Sequence, residues 1–186
     1  MRSINIAVLV GSLRSQSLNN KLARAIAGLA PADFAFRHVR IDDLPLYNQE
    51  DDGTPAESVS RIREQIAAAD GLLFVTPEYN RSIPGVLKNA IDHGSRPFGK
   101  SVWTGKLAGV IGISPSPLGT AIAQQHLRSI LSYLDARTMG QPEVYLKSEE
   151  GLFDEAGEIQ NRATRQFLEL WMSRYVGWIR QHAAHP

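Results

Sequence analysis

Residues 4–26 read Ile4-Asn5-Ile6-Ala7-Val8-Leu9-Val10-Gly11-Ser12-Leu13-Arg14-Ser15-Gln16-Ser17-Leu18-Asn19-Asn20-Lys21-Leu22-Ala23-Arg24-Ala25-Ile26. The run Ile4–Val10 is short, apolar and ends at Gly11, which predicts a strand buried on both faces. Leu18, Leu22, Ala25, Ile26 and Leu29 follow at helical spacing, with Pro31 just beyond. Three hydroxyls, a guanidinium and amides lie in the connection. A buried strand joined through a polar loop to an amphipathic helix is the first half of a parallel βαβ unit.

The same alternation continues outward. Phe34–Ile41 alternates like a second strand near an edge, and Leu44–Pro55 is a loop rich in Pro, Asp, Asn and Gly. Ala56–Ala69 places Val59, Ile62, Ile66 and Ala69 on one helical face. Gly71–Thr76 is another buried strand, and Pro84–His93 a short helix with proline in its first turn. Lys106–Ser114 is a fourth strand and Thr120–Leu134 an amphipathic helix. Ala136–Tyr145 supplies a fifth strand, interrupted by Gly140 and Pro142, and a last helix covers Ile159–His182. The fold class is therefore α/β: a flavodoxin-like, doubly wound, five-stranded parallel sheet of order 2-1-3-4-5, with helices on both faces. One domain spanning 1–186 is expected. Ligands of such sheets sit beyond the carboxyl ends of the strands, where the strand order reverses. This directs attention to the loops after strands 1, 3 and 4.

Composition narrows the chemistry. The chain has 186 residues, a formal net charge of +1 and no cysteine. Thiolate clusters, disulfides and a cysteine nucleophile are excluded. The near-cancelling charges give no footprint for nucleic acid or an anionic membrane. No apolar run approaches the ~20 residues of a membrane-spanning helix, and no signal peptide is read at the N-terminus. A cytoplasmic location is expected. The histidines show no HExxH or other ligand spacing, so surface or packing roles are expected for them, His182 and His185 included. No Gly-x-Ser-x-Gly elbow surrounds Ser12 or Ser17, which speaks against a hydrolase.

The loop at 11–19 carries neither the P-loop pattern nor Gly-x-Gly-x-x-Gly. It offers hydroxyls, Arg14 and a helix N-terminus, a set suited to a phosphate monoester. The plainer alternative is a capped helix with a solvated loop. After strand 3 the sequence runs Thr76-Pro77-Glu78-Tyr79-Asn80-Arg81-Ser82-Ile83-Pro84-Gly85-Val86-Leu87-Lys88-Asn89-Ala90-Ile91-Asp92-His93. Pro77 and Pro84 bracket a stiff connection displaying an aromatic, an amide and an acid. It suits a flat heteroaromatic ring, which needs an apolar face and hydrogen bonds along its edge. The alternative is a proline-rich turn with Tyr79 packed on the surface.

Together, GSLRSQSLNNKLARA and PEYNRSIPGVLKNAID resemble the phosphate and flavin loops of the NADPH-dependent FMN reductase family, including its chromate and quinone reductase members. The resemblance covers roughly Ser3 to Tyr145. It implies that Ser12, Arg14, Ser17, Leu18 (through its backbone) and Asn19 surround the FMN phosphate. It implies that Pro77, Glu78, Tyr79 and Asn80 hold the isoalloxazine. A turn at Ser114-Pro115-Ser116-Pro117-Leu118-Gly119 stands where relatives carry a small, glycine-rich turn beside the ring, which adds Ser114 and Gly119. This chain departs there with two prolines and Thr120, and departs again with His93-Gly94, where many relatives have tryptophan and a small residue.

The resemblance further implies noncovalent FMN, with NADPH or NADH as donor in a ping-pong hydride transfer to small acceptors. Quinones, free flavins, azo and nitro compounds and chromate-like oxyanions are candidates. FMN carries the chemistry, so no protein group is assigned as catalytic and no metal is expected. A homodimer or homotetramer is implied, with Arg81, Tyr133 and the helix around Gln124–Leu134 as interface candidates. Arg14, Arg81, Arg96 and Lys100 are candidates to meet a 2′-phosphate. Trp171, Tyr175 and Trp178 share one helical face and are expected in the core or at a subunit contact. The competing functions are a flavodoxin-type electron carrier, disfavoured by the neutral net charge, and a flavin-containing interaction module.

Overall fold

The computed structural model describes residues 3–183, so His185 lies outside the described residues. Six parallel strands form one sheet: β1 Ile4–Val10, β2 Phe34–His38, β3 Gly71–Val75, β4 Leu107–Ser114, β5 Arg137–Thr138 and β6 Val144–Lys147. Their order is β2-β1-β3-β4-β5, with β6 also pairing β4. Five α-helices follow in turn: α1 Leu18–Ala27, α2 Glu57–Ala67, α3 Gly85–Gly94, α4 Ala121–Tyr133 and α5 Arg162–Ala183.

The expected order 2-1-3-4-5 is present, with one correction at its last strand. The segment read as Ala136–Tyr145 is two short strands in line. β5 pairs Leu107 and Ala108, whereas β6 pairs Ile111–Ser114. Between them lie Gly140 and Pro142, and a proline has no N–H to give a ladder. Two ends also differ. β2 stops at His38, although the Val39 N–H still donates to the Val8 carbonyl at 2.9 Å. Ile159 belongs to a bridge with Phe153 rather than to the last helix. Asn161 precedes that helix, and its Oδ1 accepts from the Thr164 N–H at 2.9 Å.

The central strands are buried on both faces, as a parallel sheet between helical layers requires. Ile6, Val8, Val10, Leu73, Val75, Ile111 and Ile113 face a layer made by α1 and α5. Ala7, Leu9, Leu72, Phe74, Ala108 and Val110 face α2, α3 and α4. The period-two alternation within β1, β3 and β4 thus splits each strand between two cores. Two strand glycines are sockets for the last helix. A Cβ at Gly109 would stand 2.8 Å from the Trp171 ring, and one at Gly71 would stand 2.7 Å from Ile179. Trp171 and Tyr175 stack at 5.1 Å in that core, and Trp178 packs partly buried beside them. Burial pushes the Tyr175 hydroxyl pKa up, so it stays protonated and donates to the Leu72 carbonyl at 2.8 Å.

Candidate functional site

Parallel strands entering from one edge deliver the loops after β1, β3 and β4 to the other. Three local devices draw these loops together. First, Gly11 sits against the next loop: a Cβ there would lie 3.1 Å from Thr76 Oγ1 and 3.3 Å from Pro77. Second, Gly112 lets β4 pass beneath both neighbouring loops, because a Cβ would fall 2.2 Å from the Thr76 carbonyl and 2.3 Å from Thr120 Oγ1. Third, Asn19, only 3% exposed, reaches from α1 to the end of β4. Its Nδ2 donates to the Ile113 carbonyl at 2.9 Å, and its Oδ1 accepts from the Ile113 N–H at 3.1 Å. The side-chain amide completes the ladder there as a neighbouring strand would.

The loop after β1 folds back through Ser17 N–H to the Arg14 carbonyl at 3.1 Å. Ser17 is the N-cap of α1, accepting from the Asn20 N–H at 3.3 Å. The Leu18 and Asn19 N–H groups have no acceptor within their own helix, since the first turn offers none. Ser12 is buried at the loop's base and Arg14 is exposed at its crest. Two of the residues expected around a phosphate thus carry structural duties with their side chains. Ser17 caps, and Asn19 latches α1 to β4.

The loop after β3 turns tightly. Tyr79 and Ser82 exchange both backbone hydrogen bonds at 3.0 Å. Asn80 and Arg81 between them have φ of 51° and 66°. Two consecutive left-handed residues make a type I′ turn, and neither is glycine. Tyr79 is left 47% exposed. Glu78 points the other way: its side chain is only 5% exposed. Oε2 accepts from the Ile122 and Ala123 N–H groups at 3.0 and 3.1 Å, while Oε1 takes Arg81 Nη1 at 3.3 Å. Ser82 Oγ lies 3.0 Å from His126 Nδ1 on α4.

The loop after β4 closes on itself. Ser114 Oγ donates to the Gly119 carbonyl and accepts from the Ser116 N–H at 3.2 Å. Gly119 has φ of +57°, and a Cβ there would lie 2.7 Å from the Tyr145 carbonyl group. Pro115 and Pro117 therefore sit in a turn held from inside and pressed onto β6.

Several residues singled out from sequence lie elsewhere. Arg96 and Lys100 follow the carboxyl end of α3, which returns to the opposite edge of the sheet. Their carbonyls and those of His93 and Gly94 accept from Arg63 of α2. Only Arg14 and Arg81 of the four 2′-phosphate candidates stand at the loop edge. Gln124, an interface candidate, is fully buried instead, donating to Thr120 Oγ1 at 2.8 Å and to the Val144 carbonyl at 2.7 Å. Its amide, together with Gln125 donating to the Tyr145 hydroxyl at 3.0 Å, ties α4 to β6. His93 is buried, with Nε2 2.9 Å from the Pro45 carbonyl and its ring edge-on to Tyr47. Gly94 beside it makes room for Trp103, since a Cβ would stand 2.6 Å from the indole. The His93-Gly94 pair thus serves packing within the chain. The contact of Glu78 with α4 carries no sequence signal, because its partners are 44 and 45 residues away and donate through their backbone.

The phosphate-type loop and the stiff aromatic loop meet at one sheet edge, and residues 4–151 match the family model described as NADPH-dependent FMN reductase. The chain belongs to the NADPH-dependent FMN reductase family. It is an oxidoreductase with FMN as cofactor and NAD(P)H as donor. The chain is 53% identical over 178 residues to a 2-hydroxy-1,4-benzoquinone reductase of Burkholderia sp, covering 96% of this chain and 97% of that one. It is 45% identical over 181 residues to a quinone reductase of Pseudomonas putida, covering 97% of each. Among solved structures it resembles FerB, a flavoenzyme NAD(P)H:(acceptor) oxidoreductase from Paracoccus denitrificans. That likeness has a TM-score of 0.93 at 40% identity and covers 96% of this chain and 98% of that chain. Among the described residues, no group of three or more acidic or histidine side chains is placed to hold a metal, and no helix is long and apolar enough to cross a membrane.

Proposed function

We propose that this FMN reductase family member passes electrons from NADPH or NADH to quinones. The observation that carries the reading is the meeting of the Ser12–Asn19 loop and the Pro77–Ser82 turn at the carboxyl edge of β1 and β3. When bound, FMN accepts two electrons as hydride from the nicotinamide and yields them to the acceptor.

The chain supplies position. Ser12, Arg14, the Ser17 hydroxyl and the Leu18 and Asn19 N–H groups surround the phosphate. Its charge is favoured by the positive end of α1. The backbone of Pro77–Asn80 and the Tyr79 ring would hold the flavin ring, with the Ser114–Gly119 turn beside it. The Glu78 and Asn19 side chains also hold these loops in place. Ser114 Oγ likewise keeps its turn closed. Arg14 and Arg81 are the cations within reach of a 2′-phosphate. Quinone as acceptor is favoured by the names of the two relatives above, and an exposed aromatic beside the ring suits a flat substrate.

We also place the protein in the cytoplasm as a homodimer or homotetramer. The assembly is supported by a groove of about 490 Å³ between α3 and α4, lined by Lys88, Asp92, Arg96 and Ser129 together with Ile130, Leu134 and the ring of Tyr133, which is 86% exposed. An exposed aromatic with polar groups around it suits a subunit contact.

The deciding experiment is an anaerobic absorbance spectrum of the FMN-saturated protein before and after NADPH, then NADH. Bleaching of the flavin band near roughly 450 nm, followed by its return on adding 1,4-benzoquinone, is expected. Bleaching without return would exclude that quinone and direct attention to flavins, azo or nitro compounds and chromate.

A further inference from the structure

We infer that Glu78 is a positioning residue: its carboxylate replaces the missing N-cap of α4 and thereby sets the flavin-loop turn against that helix. The inference rests on the proposed placement of FMN at this turn.

Three observations meet here. The residue at the N-cap of α4, Thr120, makes no side-chain capping bond. Its Oγ1 instead accepts from Gln124 at 2.8 Å. The first-turn N–H groups that a cap would satisfy are those of Ile122 and Ala123. Both donate to Glu78 Oε2. A nearly buried carboxylate at a helix N-terminus is favoured by the charge-assisted bonds and by the helix dipole. The second observation is the strained turn. Asn80 and Arg81 occupy left-handed φ without being glycine, a conformation that persists only where its surroundings over-determine it. Glu78 Oε1 holds Arg81 Nη1 from one side. The third is that Ser82, at the far end of the turn, meets His126 of the same helix. Both ends of the turn are therefore referred to α4, and the Glu78 end carries the charge-assisted bonds.

The consequence is geometric. The backbone of Pro77–Asn80 borders the ring, so a turn released from α4 loses its register with the phosphate loop. Affinity for FMN falls because ordering then has to accompany binding.

The test is FMN titration by fluorescence quenching, with thermal unfolding and the visible spectrum of bound FMN recorded alongside. Glu78→Ala is expected to raise the FMN Kd about tenfold and to alter the flavin band shape. Glu78→Asp keeps the charge but is one methylene too short for α4. It is expected to match Glu78→Ala, and it serves if the alanine variant does not fold. Glu78→Gln keeps an acceptor of the right reach for α4 but loses the charge and the acceptor toward Arg81, and its Kd is expected to fall between those of Glu78→Ala and the parent. Leu131→Ala empties a core position at the far end of α4 and is expected to lower thermal stability while leaving the Kd within about twofold. Parental affinity in Glu78→Asp, or an equal loss in Leu131→Ala, would overturn the inference. Failure of the parent protein to bind FMN would instead overturn the placement of the cofactor.

Discussion

At the scale of single residues, the loop edge is built by side chains that stand in for backbone. Asn19 completes the hydrogen bonding of Ile113 on β4. Asn19→Ala leaves a buried N–H and a buried carbonyl without partners and is expected to cost roughly 2–4 kcal/mol in urea unfolding. It also frees α1 from β4, so weaker FMN binding accompanies the loss. Unchanged stability would show the latch to be dispensable. Gly119 raises the opposite problem. Its φ of +57° and the Tyr145 carbonyl group 2.7 Å from a would-be Cβ leave no room for a side chain. Gly119→Ala is expected to destabilise by about 3 kcal/mol, whereas a glycine with open space around it, such as Gly140, should tolerate the same change. The residue types in these loops were readable from the sequence. Their division of labour was not, because Asn19 and Glu78 act through backbone atoms of Ile113, Ile122 and Ala123, whose side chains carry no mark of it.

At the scale of elements, α2 clamps the far edge of the molecule. Arg63 donates through Nη1 to the carbonyls of His93, Gly94 and Arg96, and through Nη2 to that of Lys100. Arg63→Ala is expected to cost roughly 2–3 kcal/mol. Arg63→Lys should recover less than half of it, because an ammonium cannot span that arc of acceptors. Equal stability of the lysine and arginine proteins would refute the clamp. The edge strand β2 carries a different signature. Partial desolvation at the sheet edge, and then the charge of Arg24, hold the His38 pKa below its ordinary 6.5 although the residue is exposed. The native imidazole therefore resists a proton that the unfolded chain accepts. Stability is undiminished above about pH 6.5 and falls as pH drops below that toward the native pKa. Urea unfolding at pH 7.5 and 5.5 should show this decline, and His38→Gln should flatten it. A decline of the same size in His38→Gln would assign it to other groups.

At the scale of the whole molecule, the exposed Tyr133 and Phe98 border one continuous depression with Leu134 at the ends of α3 and α4. If subunits meet there, Tyr133→Asp lowers the mass measured by light scattering and leaves the far-ultraviolet circular dichroism unchanged. A parent protein already monomeric at micromolar concentration would refute the assembly. The sheet order and the helical layers were legible at this scale because each central strand carries two apolar faces. Each crossover is long enough for a helix, and that leaves a parallel doubly wound sheet. The break between β5 and β6 was half legible: Gly140 and Pro142 marked an interruption, but only pairing with two separate parts of β4 shows that the strand resumes.

The amino-acid sequence alone determined the alternation of strands and helices, the strand order and the two loops that meet at the carboxyl edge. Those features follow from local periodicity, turn residues and chain connectivity, which are properties of neighbours in sequence. The tertiary structure alone decided that Arg96 and Lys100 lie at the edge opposite the loops after β1, β3 and β4, and that Gln124 is core. It also decided that His93 packs against Pro45 and Tyr47, and that Glu78 serves α4. Each of these depends on a hydrogen bond or contact spanning tens of residues, and its direction is set by which face of a packed element the side chain occupies.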